Sequence, residues 1–170
     1  MSDDAAGPER MQAGSAAAFA AGIVGVFALA TAAGLVYPMN HDVAYCLHCG
    51  ERMLDGSRLY VDIVDMNPPL VFYLSMWLAW VGRVAGVSTT STAVAAVLGL
   101  AAVSLAASAR LLEQAAAGCP RWARRGLLLV MAYVLLLETI NRQGKNGLGQ
   151  REHLMFVLVM PYLLAAAARA

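Results

Sequence analysis

The sequence predicts an all-α protein: a polytopic membrane helical bundle with about five hydrophobic segments and one long polar loop carrying a short amphipathic helix. Three observations predict it. Of 170 residues, 60% are hydrophobic and 14% charged, with mean hydropathy +0.62, whereas a soluble domain sits nearer half apolar and a quarter charged. The apolar residues fall in blocks long enough to span a bilayer. Two polar stretches, 38–68 and 141–153, punctuate those blocks.

The first element follows a polar N-terminal tail, residues 1–14. That tail sets Asp3, Asp4 and Glu9 against Arg10, unlike the basic opening of a secretory signal. The apolar stretch 15–37 (SAAAFAAGIVGVFALATAAGLVY) exceeds a signal core in length and is predicted to be an uncleaved anchor helix. Its many small residues allow close helix packing.

Segment 38–68 holds five acids, two arginines and the first two histidines. Within it, HDVAYCLHCGERMLDG places Val43, Leu47, Met53 and Leu54 roughly on one helical face. Asp42 stands where an N-cap is expected and Gly56 where a C-cap is. The expectation is a short amphipathic helix lying on the membrane surface.

Residues 69–86 form the second apolar segment, at the short end for a span, with Trp77, Trp80 and a polar break at Arg83. The pair Pro68-Pro69 forces Asn67 and Pro68 into extended backbone and leaves Pro69 free to begin a helix. Residues 89–112 make a third segment of full spanning length. A basic connector, EQAAAGCPRWARR, precedes a fourth over 126–139. The Gly-rich loop 141–153 (NRQGKNGLGQREH) reads as irregular, and 154–168 is the fifth. Alternating crossings leave Lys and Arg nearly balanced on the two sides, so the positive-inside rule sets no orientation. If 69–86 does not cross, both polar loops fall on one side.

Composition also excludes some functions. A net charge of +1 offers no patch that would neutralise several phosphates, so no nucleic-acid partner is expected. Three cysteines (Cys46, Cys49, Cys119) do not suggest a disulfide framework. CLHC beside His41 invites zinc, but the distant second ligand pair of a structural site is missing, and no metal ligand is assigned. GKNG around Lys145 lacks the frame and preceding strand of a phosphate-binding loop.

The segment HDVAYCLHCGERMLDGSRLYVDIVDMNPPLVFYL resembles the first extracytoplasmic loop of the GT-C glycosyltransferases, polytopic enzymes that take sugars from polyprenyl-phosphate donors. The likeness is to the protein-mannosyltransferase and aminoarabinose-transferase branch. It rests on Asp42 just after span one, Tyr45, the run Gly56-x-x-Leu59-Tyr60-x-Asp62, then Asn67-Pro68-Pro69-Leu70. GQREHLMFVLVMPYLL resembles a later segment of that family in which an acid, here Glu152, opens a span. The resemblance covers roughly 15–168. It departs where the family often has a second adjacent acid, since Val43 stands there, and in its fewer spans. It therefore implies the N-terminal portion of such an enzyme, in a bacterial inner membrane.

What the resemblance implies is glycosyl transfer from a lipid-linked sugar to an acceptor hydroxyl. Asp42 becomes the catalytic base, beside its bland role as a helix cap. Asp62 and Asp65 would bind sugar hydroxyls, or a divalent cation through oxygen ligands, beside their ordinary part in loop turns. Arg151 would hold the donor phosphate and Glu152 would line the sugar pocket, beside snorkelling and interfacial anchoring. The partners implied are the lipid-linked donor, membrane lipid and an acceptor the sequence does not specify. Two alternatives come from other classes: a membrane redox or metal-handling protein using Cys46 and Cys49, and a non-catalytic membrane scaffold.

Overall fold

A computed structural model describes residues 7–137 and 147–169, with side chains from residue 14 onward. Six α-helices make up its regular structure: α1 (Gly7–Val36), α2 (His41–Leu54), α3 (Pro69–Ala85), α4 (Thr89–Ala115), α5 (Arg121–Leu136) and α6 (Arg151–Ala167). Two of them are long and apolar enough to cross a membrane, α1 over Gly14–Val36 and α4 over Thr89–Ala115. The all-helical expectation holds for every described element. Residues 1–6, the end of the expected fourth segment at 138–139 and most of the Gly-rich loop, Lys145 included, lie outside the described residues.

Several boundaries differ from expectation for local reasons. The expected polar tail is already helical from Gly7, because Glu, Arg, Met, Gln and Ala between Pro8 and Gly14 are all good helix formers. The basic connector likewise yields its last residues to α5. Pro120 stands at the N-cap, where its missing N–H breaks no helical bond, so Arg121–Arg125 form the opening turns. By contrast Pro69 begins α3 as expected, with Pro68 extended at φ −57° and ψ 145° before it and Gly86 left-handed at φ 69° after it.

The helix directions follow from contacts between named residues. Arg125 donates to the Ser15 hydroxyl at 2.9 Å, and a Cβ on Gly22 would meet Leu129 Cδ2 at 2.9 Å, so α1 and α5 run side by side and parallel. Helix α4 runs the opposite way. A Cβ on Gly34, near the end of α1, would lie 3.1 Å from Val94 near the start of α4 and 3.4 Å from Leu148 just before α6. Helices α4 and α6 are parallel, joined where the Ser104 hydroxyl donates to the Val157 carbonyl. The main core lies among these four helices, around Ala30, Ala101, Ala132, Leu135, Leu136 and Val157.

That Ser104 bond has a specific cause. Pro161 lies inside α6 and has no N–H, so the carbonyl four residues earlier, Val157, loses its helical donor. Val157 is fully buried, where an unpaired carbonyl is costly. The Ser104 hydroxyl from α4 supplies the missing hydrogen.

Helices α2 and α3 form a second layer with its own small core of Cys49, Ile63 and Phe72. They run parallel and very close: a Cβ on Gly50 would lie 2.5 Å from Met76 N and from Ser75 C. Asp55 and Arg83 pair at 3.0 Å near the ends of the two helices. The Thr89 hydroxyl of α4 donates to Glu51, placing an acid at the positive end of α4. The short amphipathic helix forms as expected, and its apolar face packs on α3, with Leu47 and Cys49 buried. The cysteines Cys46 and Cys49 face that protein interior too.

Candidate functional site

The expected site residues sit on the chain between α1 and α3 and on the first turn of α6. Asp42 is the second residue of α2. The N-cap is Asn40, not Asp42 as the sequence suggested: Asn40 Oδ1 accepts from the Asp42 backbone N–H at 2.9 Å. A capping residue keeps an extended backbone and accepts through its side chain, and Asn40, after Met39, satisfies this two positions earlier. The correction frees the Asp42 carboxylate from capping. It is exposed, and His41 Nε2 lies 3.0 Å from its Oδ1. Gly56, at φ 97°, sits just past the α2 C-cap Asp55 as expected.

Asp65 lies on the limb that returns from α2 to α3. Its Oδ1 accepts from the Asn67 backbone N–H at 2.6 Å, a side-chain turn that sets up Pro68. The same carboxylate reaches the first turns of α2. The Tyr45 phenol is pushed above its ordinary pKa by a hydrogen bond with Cys49, then by burial, and then by the charge and hydrogen bond of Asp65. The Cys46 thiol is pushed up by burial first, then by Cys49, Asp65 and Asp42, with Arg151 pulling the other way. Asp42, Asp65 and Arg151 thus act on one thiol from three different elements. A Cβ on Gly149 would meet Val43 Cγ1 at 3.8 Å, which puts the start of α6 against the start of α2. Three residues far apart in sequence gather at one end of the bundle.

Two expected members stand differently. The Asp62 carboxylate is bound to Arg58, whose backbone N–H donates to Oδ2 at 2.8 Å and whose Nε donates at 3.1 Å. Those two bonds hold its pKa below the usual carboxylate value. Asp62 closes the turn over residues 58–63, in which Tyr60 takes a left-handed backbone at φ 65° and donates its phenol hydrogen to the Asn67 carbonyl. Glu152 is exposed on the first turn of α6. Arg83, the polar break of the second apolar segment, is paired with Asp55.

His153 was not expected to matter and proves structural. It is buried, its Nδ1 accepts from the Gly149 N–H at 3.1 Å, and its Nε2 lies 2.6 Å from the Leu135 carbonyl. With Nδ1 accepting, Nε2 must carry the hydrogen and donate it. One neutral imidazole thus donates to a carbonyl in the last turn of α5 and accepts from the turn that leads into α6, which presents Arg151. His at the opening of an apolar helix was the only sequence signal for it.

Among the described residues no group of three His, Cys, Asp or Glu side chains converges as a metal cage. No side chain caps the first N–H groups of α6, so that helix terminus, with Arg151 on it, suits an anion. Chemically the cluster offers carboxylates with an adjacent imidazole, a phenol and a guanidinium. No protein-family model, no curated protein and no solved structure matches this chain.

Proposed function

We propose that the chain is a membrane glycosyltransferase component acting on a polyprenyl-phosphate-linked sugar, with Asp42 as the base at the acidic end of the bundle. The single observation that carries the reading is the convergence of Asp42, Asp65 and Arg151 where α1 ends and α6 begins. A lipid-linked donor needs its phosphate at the edge of the hydrocarbon and its sugar beyond it. In the proposed step the acceptor hydroxyl attacks the anomeric carbon. The bond from that carbon to the phosphate oxygen breaks, and the polyprenyl phosphate leaves with the bonding electrons. The hydroxyl proton passes to Asp42, with His41 beside it as the onward carrier. Arg151 and the α6 terminus hold the phosphate, and Asp65 orients the sugar through its hydroxyls.

In this reading α1 and α4–α6 supply multi-pass anchorage in the bacterial inner membrane, and segment 38–68 is extracytoplasmic. Asp62 is better placed to shape the loop than to touch sugar, because Arg58 occupies its carboxylate. The redox alternative at Cys46 and Cys49 draws no support from a thiol whose pKa is raised, since the thiolate is the reactive form.

The test is donor binding. Purified protein in nanodiscs should be crosslinked by a photoactivatable polyprenyl-phosphate sugar, and excess unlabelled donor should compete. Arg151→Gln should weaken that capture while leaving the fold intact. Capture that no donor competes with, or that is unchanged in Arg151→Gln, would remove the reading.

A further inference from the structure

The segment between α1 and α4 starts and finishes at the same end of the bundle. Near the end of α1, Gly34 packs on Val94 near the start of α4, and the two helices run in opposite directions. A chain that leaves α1 and enters α4 at one end cannot contain a single crossing between them. Helix α3 is the only apolar helix in that segment, and α2 is too polar to cross beside it. Its Gly50 sits against the middle of α3 at Ser75 and Met76. A spanning α3 would therefore carry Glu51, Arg52 and their neighbours toward the hydrocarbon centre, where charge is strongly disfavoured.

The pattern of side chains along α3 agrees. The inner face of α3, Phe72, Ser75, Ala79 and Gly82, is buried on α2 and α4. The outer face is a continuous exposed stripe of Leu70, Tyr73, Leu74, Trp77, Trp80 and Val84. Trp77 and Trp80 lie side by side with ring centroids 6.4 Å apart, and Trp and Tyr favour the boundary between headgroups and acyl chains.

We infer that α3 does not cross the bilayer but lies in the single leaflet at the acidic end, its Leu70–Val84 stripe inserted among the lipid chains. The inference rests on the membrane reading above. The occupant of the stripe is lipid because α3 packs on α4, where a Cβ on Gly82 would meet Thr92 Oγ1 at 2.8 Å, and α4 is itself apolar enough to span and carries exposed apolar side chains such as Val103. Four helices then cross, α1, α4, α5 and α6. The loop 55–68, the turn 86–88 and the start of α6 share one side, and the Arg121–Arg125 turns lie on the other.

The test uses exposed Cys119, in the α4–α5 turn, as a built-in reference. Val64→Cys and Val87→Cys are added singly, and sealed vesicles are treated with a membrane-impermeant maleimide. Peptide mass spectrometry then reads each site separately. Residues 64 and 87 should label from one side and Cys119 from the other. Labelling of residue 87 with Cys119, opposite to residue 64, would overturn the inference. Protein extracted by carbonate would instead overturn the membrane reading on which it rests. Bromolipid quenching in a Trp122→Phe variant tests the occupant. Trp77 and Trp80 should be quenched more by bromines near the headgroup than by deep ones. Quenching strongest at the bilayer centre, or absent because a second copy covers the stripe, would refute insertion in one leaflet.

Discussion

Removing the Ser104 hydroxyl should cost stability only because Pro161 is present. Pro161 withdraws the N–H that would otherwise serve the Val157 carbonyl, and Ser104 replaces it from α4. Val157 is fully buried and Ser104 nearly so, so water cannot take over. Leaving the carbonyl unpaired costs about 1–3 kcal/mol in a protein interior. Interhelical hydrogen bonds in membrane proteins measure about 0.6 kcal/mol on average and reach about 1.7. Ser104→Ala should therefore destabilise the bundle by about 1–2 kcal/mol. In Pro161→Ala the residue 161 N–H serves Val157 directly, and adding Ser104→Ala should then cost no more than about 0.5 kcal/mol. The assay is a double-mutant cycle read by reversible unfolding in mixed micelles. A coupling of about 1 kcal/mol is expected for groups that share a partner. Equal costs of Ser104→Ala in both backgrounds would show that the carbonyl orphaned by Pro161 is not what Ser104 serves.

Three further outcomes are expected. Gly50→Ala should cost about 2–3 kcal/mol or more, because its Cβ meets the α3 backbone, which cannot swing aside as a side chain can. Gly99→Ala meets nothing within 4 Å and should gain about 0.5–1 kcal/mol from helix propensity; thermal denaturation of the pair reads both signs. His153→Phe should lose about 2 kcal/mol by stranding the Gly149 N–H and the Leu135 carbonyl, with the largest rise in hydrogen exchange at residues 147–153. Because Asp62 ionises more readily folded than unfolded, the order it lends to residues 58–63 is complete above about pH 4. That order drains away as pH falls through the lower folded value. Hydrogen exchange of the loop should show this acid loss in the wild type and not in Asp62→Asn, where the loop is loose throughout.

Much of the helical plan was legible because it depends on local chemistry. Pro69 as a first helical residue, Gly86 and Gly56 past helix ends, and α4 from its start to within three residues of its end all follow from rules acting within a few residues. The extra turns of α1 and α5 were missed because hydropathy marks where a helix is apolar, not where it begins. The cap was misplaced by two residues since Asn40 and Asp42 are both good caps and only the backbone decides between them. What no local rule could supply was pairing across the chain. The approach of the start of α6 to the start of α2, the capture of Asp62 by Arg58, and the Ser104 repair of Pro161 each need the folded arrangement. The same holds for α2, whose amphipathic pattern fits a membrane surface and a protein neighbour equally well.

Turnover in Asp42→Asn tests the central claim most directly. With membranes from cells expressing the intact gene, a radiolabelled polyprenyl-phosphate sugar and its acceptor, the substitution keeps the size of the side chain and removes the base. The account predicts a kcat lower by about 10²–10⁴-fold, the usual worth of a positioned general base, with donor KM little changed because Arg151 and the α6 terminus still hold the phosphate. An unaltered kcat would contradict it.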